Sequence, residues 1–437
     1  MYKSLQKGIY HLHESRIGNS FCIIFLRGSE GVTSAEMGMI LAKIWIKLQD
    51  LEKGIIKEID IHPTKRSSGN LSVMLGYGPK AFLLDGILRK PPQKFGAESI
   101  FSQPKDGVTS TKPLLEESKI TYSKEVKENH ALADHMVIQL IADTEFHTSR
   151  ALVEVSKELA RINRVTAPRV LAKISRFYNG FHSPTGRSLI GFHDGVANVK
   201  TSDRLKTISI QPSLLKGEEW TVNGTYMGFL RIIFNIEAWE ELEVSKQEII
   251  IGRDKETGCP LIGIDRNGKP IVDPHCPRPG THDVTDRGNE MFRNRPKYGN
   301  QTLSSSISDK LLQNSHIATT LPNDISNQHL KPSNQIFRQS FQFLEPATSE
   351  LGLRIGLNFV SFQNSPENLY KSMIYKPVYK PSYERILDDS LPGLHDFFTV
   401  ISGGVFFIPA FERGDPFPGS SMFLEEKSIR KTKSFSR

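Results

Sequence analysis

Short runs of β-branched and apolar residues, each followed by a polar turn and then by apolar residues three and four apart, recur along the chain. This change of period predicts a strand leading into an amphipathic helix. FCIIFLRG (21–28) leads into SAEMGMILAKIWIKLQDL (34–51), and HMVIQLIADT (135–144) into SRALVEVSKELARI (149–162). In the second half TYMGFLRIIFNI (225–236) leads into EAWEELEV, and LRIGLNFVSFQ (353–363) into SPENLYKSMIY. Further strands are predicted at NLSVMLGYG (70–78), RVLAKISRFY (169–178), QIFRQSFQFL (335–344) and GGVFFIPA (403–410). Each half therefore reads β-α-β then β-α-β, the order of a ferredoxin-like domain. The expected fold class is α+β, with tandem duplicated ferredoxin-like domains and antiparallel sheets. The expected halves are residues 1–215 and 216–420, followed by a basic tail, 421–437. Such sheets cover one face with helices, which leaves the space between the halves as a natural place for a large apolar ligand.

Two stretches break the pattern. Residues 84–132 carry prolines, serines and alternating charges, and residues 253–333 are rich in Asp, Asn, Pro and Gly. Long irregular stretches in a folded chain are commonly binding loops, and the second contains His316. The formal charge of +8 is scattered along the chain rather than gathered on one face, which argues against a nucleic-acid partner. The densest basic run, from Lys427 to Arg437, reads as a solvated tail. The 3 cysteines, Cys22, Cys259 and Cys276, are too few for a disulfide framework, and none stands in a CxxCH haem-attachment unit. Neither a signal peptide nor a run of about twenty apolar residues is found, so no membrane span and a cytoplasmic location are expected.

The candidate chemistry lies in three short segments. GFHDGVAN (191–198) is an acidic turn in which Gly191 and Gly195 flank Asp194. NSHIATTLPND (314–324) contains His316, and IFRQSFQF (336–343) contains Arg338. Taken singly, the first is an ordinary Asp turn and the second a surface or core histidine. Taken in order and spacing, the set resembles the dye-decolorising peroxidase family. QKGIYHL (6–12), NGTYMGFLRIIFNIEAWEEL (223–242), KQEIIIGRDKETGCPL (246–261), GLNFVSFQ (356–363) and SGGVFFIPA (402–410) extend the resemblance along nearly the whole chain.

The resemblance implies paired ferredoxin-like halves enclosing haem b, one per chain, and a peroxidase that reduces hydrogen peroxide while oxidising small organic donors of dye-like or phenolic type. It implies that His316 is the proximal iron ligand, with Asp396 in LHDFF as acceptor for its second ring nitrogen. It implies that Asp194 moves the peroxide proton and that Arg338 stabilises charge as the O–O bond breaks. Leu357 and Phe359 match the distal pocket wall, and Gly195 the close approach to the macrocycle. Ala318, Thr319 and Thr320 stand where the family commonly places basic residues near the haem propionates, so Arg187 or Lys200 is the candidate source of that charge. Asn358 replaces a usual apolar residue. Trp45, Trp220, Trp239 and the 11 tyrosines include candidate surface relays for larger donors, and a homo-oligomer is left open. Two other readings remain: a haem-handling protein of the same fold that releases iron, and a non-haem metal module in DPHCPRPGTHDVTD (273–286) using His275, Cys276, His282, Asp283 and Asp286.

Overall fold

In β1 (Ser20–Gly28) successive side chains point to opposite faces, and both faces are buried. Cys22, Ile24 and Leu26 pack under α1 (Ser34–Glu52), while Phe21, Ile23 and Phe25 point into a second core. The computed structural model describes residues 4–9, 18–55, 67–92, 121–122, 134–183, 185–196, 198–199, 201–212, 218–274, 315–317, 335–346, 352–369, 394–411 and 414–425, with Phe95, Cys276 and Leu312. α1 begins at a capping box, in which the Thr33 hydroxyl accepts from the Glu36 N–H and the Glu36 carboxylate accepts from the Thr33 N–H. The remaining N-terminal elements are β2 (Ser72–Tyr77), β3 (Thr121–Tyr122), β4 (Met136–Ala142), α2 (Glu145–Val165) and β5 (Ala172–Phe181).

After α3 (Thr201–Ile208) the second half repeats the scheme with β6 (Thr225–Phe234), α4 (Ile236–Glu240) and α5 (Val244–Ile251). A short hairpin, β7 (Leu261–Ile264) with β8 (Pro270–Val272), precedes β9 (Phe337–Arg338), β10 (Phe341–Pro346), β11 (Leu353–Gln363), α6 (Pro366–Leu369) and β12 (Phe398–Ile408). The N-terminal strands lie in the order β5-β1-β4-β2 and the C-terminal ones in the order β12-β6-β11-β9, with β10 also on β11. Numbered within its own half, each set has the same antiparallel order, 4-1-3-2, which bears out the expected duplicated ferredoxin-like fold.

The two halves share one sheet. Tyr77 of β2 pairs with Phe407 of β12, and Phe181 of β5 pairs with Gln342 of β10, so both edges of each half are met by the other. Closure removes the exposed edges that an open sheet must otherwise protect. Phe21, Phe25, Met74, Met227, Phe229, Phe362 and Phe406 fill the space between the sheets. Those side chains leave the Arg338-bearing outward face of the C-terminal sheet as the place of the candidate site.

Other differences have local causes. QIFRQSFQFL divides into β9 and β10 because the Gln339 N–H turns to the Val360 carbonyl (2.8 Å) and the Ser340 hydroxyl takes the Val360 N–H (3.3 Å). The irregular stretch from residue 253 holds the β7–β8 hairpin, turned at Asn267 and Gly268. Met422 and Phe423 of the expected tail are buried in the core, and the tail beyond Glu425 lies outside the described residues. Among the described residues no helix is long and apolar enough to cross a membrane.

Candidate functional site

The Asp194 turn is built by its own backbone and held from two sides. The Asp194 N–H donates to the Gly186 carbonyl (2.8 Å) and the Ser188 N–H to that of Phe192 (2.7 Å), folding residues 186–194 back on themselves. Gly195 lies at φ +74°, a conformation that costs other residues energy, and its N–H donates to Asp194 Oδ1 (2.7 Å). Gln342 of β10 grips the segment before the turn, donating to the Arg187 carbonyl (3.0 Å) and accepting from the Leu189 N–H.

Arg338 arrives from β9. The register sets Phe337 opposite Phe362 and Arg338 opposite Ser361 on β11. Phe337 and Phe362 point into the core between the sheets, so Arg338 shares the outward face with Leu357, Phe359 and Ser361. Its guanidinium Nη2 donates to the Val196 carbonyl (2.7 Å), two residues beyond Asp194. Asn198 completes the junction: its Oδ1 accepts from the Arg338 N–H (3.0 Å) and its Nδ2 donates to the Arg338 carbonyl (2.6 Å). Arg338 thus meets the Asp194 turn at Val196. Asn198, visible in GFHDGVAN, was missed.

His316 lies in a turn packed on the end of α5. Gly252 closes that helix at φ +87°, and a Cβ there would stand 2.5 Å from Ser315 Oγ and 2.7 Å from Ile317 Cγ1. Burial first, then the charges of Arg338 and Arg253, push the His316 imidazole down to about 4. It is therefore neutral at physiological pH, the protonation state in which an imidazole can ligate a metal. Arg253 is buried, donates to the Gly258 carbonyl (2.9 Å), and is lowered to about 9 by burial and by Arg338. Two guanidiniums and an imidazole thus share one neighbourhood, and Arg253 is a second residue that sequence reasoning left without a role.

The turn after Arg253 joins the Asp194 and His316 segments. Arg187 donates to the carbonyls of Gly191 (2.8 Å), Lys255 (2.7 Å) and Glu256 (2.7 Å), and the His193 ring contacts the Glu256 carbonyl (3.1 Å). Arg187 is therefore a backbone brace, which corrects its expected role as a charge for propionates; Lys200 lies outside the described residues. Cys259 and Cys276 form a disulfide beside Val196, a pairing that the cysteine count did not predict. It removes Cys276 from the metal module considered above, whose His275, His282, Asp283 and Asp286 lie outside the described residues, as do Ala318, Thr319 and Thr320. Among the described residues there is no group of three or more His, Cys, Asp or Glu able to hold a metal.

Phe359 is buried and Leu357 partly so, both on the Arg338 face. Asn358 points the opposite way, accepting from Arg231 (2.7 Å) and donating to the Asn179 carbonyl (2.9 Å), so its departure from an apolar residue serves the other face. Asp396 is exposed, while its neighbour Phe397 packs with Phe192 and Trp239 in a small aromatic core. Trp239 and Trp45 are buried and Trp220 partly so, which removes the first two as surface relays.

The arrangement offers a neutral imidazole, a guanidinium anchored on the Asp194 turn, and an apolar wall. The family model "Dyp-type peroxidase, C-terminal" matches residues 185–413. Among curated relatives, the deferrochelatases of Shigella sonnei (strain Ss046) and Escherichia coli (strain K12) are each 24% identical, over 64% and 66% of this chain. The match spans 55% and 58% of those proteins, little more than half their length. Among solved structures, an oxyferrous complex of DtpA from Streptomyces lividans superposes with a TM-score of 0.65 at 20% identity, covering 97% of both chains. A DyP-type peroxidase from Streptomyces coelicolor superposes at 0.63 with 19% identity, again over 97% of both.

Proposed function

The chain belongs to the Dyp-type peroxidase family, and on that premise we propose that it is a haem-dependent peroxidase that reduces hydrogen peroxide and oxidises small organic donors. The observation that carries this reading is the junction at Arg338, whose guanidinium contacts the Asp194 turn and lowers the His316 pKa. The residues present fit a haem. His316 presents a neutral nitrogen, Leu357 and Phe359 present an apolar face, and Arg253 and Arg338 present cations for a macrocycle bearing carboxylates. Haem b, one per chain, would supply the iron and the electrons for splitting peroxide.

His316 would hold the iron, with the exposed Asp396 as the acceptor proposed for its second nitrogen. The Asp194 carboxylate would take the proton from the near oxygen of hydrogen peroxide and return it to the far oxygen, which leaves as water. Arg338, anchored at Val196, would stabilise the negative charge that grows on the departing oxygen. Leu357 and Phe359 would exclude bulk water, and Gly195 would let the turn approach the macrocycle without a side chain in the way.

The test is an absorption spectrum of protein produced with ample haem, followed by peroxide turnover with a dye. A Soret band is expected in the parent and is lost or shifted in His316→Ala. Asp194→Asn and Arg338→Leu should keep the band and lose roughly 10²- to 10⁴-fold in turnover. No Soret band in the reconstituted parent sinks the proposal. Release of iron-free porphyrin without peroxide turnover would favour the iron-releasing activity that the name of the curated relatives denotes.

A further inference from the structure

We infer that Ser361 and Gln363 form a buried subsite beside Arg338 for one small neutral hydrogen-bonding molecule, occupied by water at rest and by hydrogen peroxide in turnover. The inference rests on the peroxidase reading for its peroxide half alone. β11 pairs with β6 without a break from Ile355 opposite Phe234 to Gln363 opposite Tyr226. With no bulge in that run, Leu357, Phe359, Ser361 and Gln363 all lie on one face, and Arg338 joins them as the register partner of Ser361.

Both polar residues on this face are fully buried. Ser361 Oγ and both amide atoms of Gln363 have no hydrogen-bond partner among the described residues. Buried polar atoms are nearly always paired, with protein or with ordered solvent. The same strand shows the contrast: Asn358, on the opposite face, has both halves of its amide satisfied by Arg231 and Asn179. The three unpaired atoms are therefore gathered on the face that carries the candidate site.

The register also sets a glycine beside the pair. Opposite Ser361 on β6 stands Gly228, which places no side chain over the hydroxyl. Residues two apart on a strand are separated by roughly 7 Å, a gap that a glutamine amide and one solvent-sized molecule can span. The chemistry asks for a neutral guest that both donates and accepts, because a hydroxyl and a primary amide do both and neither carries charge. Water and hydrogen peroxide meet that demand. A molecule held here lies on the face, and beside the strand position, of the arginine proposed to act on peroxide, and peroxide would pause there before reaching its guanidinium.

A high-resolution crystal structure of the full chain should show density for one solvent molecule within hydrogen-bonding distance of Ser361 Oγ and the Gln363 amide. An empty gap there overturns the inference. Ser361→Ala and Gln363→Met should melt at lower temperature than the parent, since each strips a partner from the held molecule. A higher melting temperature in either means that the atoms were true orphans and also overturns it. In haem-loaded protein each variant should raise the KM for hydrogen peroxide about fivefold without lowering kcat, as loss of one ground-state hydrogen bond requires. An unchanged KM with solvent density present removes peroxide as the guest. If the parent turns over no peroxide at all, the proposed function fails, while density and melting still decide the subsite.

Discussion

Asn198 shows how a small side chain can govern a larger one. Its amide holds both backbone polar groups of Arg338, at 3.0 and 2.6 Å, across a sequence separation of 140. Asn198→Ala leaves a part-buried N–H and carbonyl without that partner, a cost of about 1–2 kcal/mol, and releases the strand end that aims the guanidinium. The expected outcome is a lower melting temperature together with at least about a tenfold loss of peroxide turnover at unchanged haem content, since small misplacements of a charge-stabilising group are costly. Asn198→Asp, which keeps the acceptor and loses the donor, should fall between parent and Ala in both measurements. Asp194, Arg338 and His316 could be proposed from the sequence because a motif advertises them. Asn198 could not be, since nothing in GFHDGVAN tells which distant backbone its amide will meet. The bracing role of Arg187 was hidden for the same reason: its charge was visible, but two of the three carbonyls it donates to come from a turn nearly 70 positions on.

Among the elements, the turn from Gly252 to Pro260 does the most to fix the site, because it touches the Asp194 turn through Arg187 and His193 and the His316 turn through Gly252. Gly252→Ala adds a Cβ 2.5 Å from Ser315 Oγ at a φ of +87°. The strain alone is worth about 1–3 kcal/mol, and its relief must move the His316 segment. The variant is expected to fold with weakened haem retention, seen as faster loss of the Soret band to an apo-haem acceptor; retention equal to the parent would show that the contact is immaterial. The Cys259–Cys276 disulfide anchors the far end of the turn across a separation of 17. Cys259→Ser with Cys276→Ser should lower stability by about 2–3 kcal/mol in denaturant unfolding. Strands and helices here were legible wherever one period ran uninterrupted, as in β11, which matches its predicted span of 353–363. They were not legible where a polar residue interrupts the ladder, as at Gln339 and Ser340, or where helix and turn depend on a partner segment, as in α5.

For the whole molecule, the duplicated order of strands was readable from alternating periods, but the closure of the two halves into one sheet was not. Closure depends on single register pairs, Tyr77 with Phe407 and Phe181 with Gln342, that no local pattern encodes. It also makes the site depend on the integrity of the N-terminal sheet, on which one titrating residue acts. His135 stands where β1, β2 and β4 meet: its N–H donates to the Leu26 carbonyl, its carbonyl accepts from the Gly78 N–H, and its ring Nδ1 accepts from the Gly28 N–H at 3.3 Å. Burial, then Lys80, with Arg27 adding to them and Asp134 opposing, pushes this imidazole from an ordinary 6.5 to about 4. Between those values the unfolded chain binds a proton that the folded chain refuses. Stability must therefore fall as pH drops through that window, and this residue adds no further loss below about 4. The proton also competes for the lone pair that holds the Gly28 N–H. The loss attributable to His135 is on the order of 2 kcal/mol. His135→Asn, which keeps an acceptor and does not titrate, should flatten the fall of melting temperature between pH 6.5 and 4 relative to the parent. An identical slope in the two proteins would place the acid sensitivity elsewhere. A flatter slope would tie acid tolerance to a sheet junction remote from Arg338 in sequence and joined to it through the closed sheet.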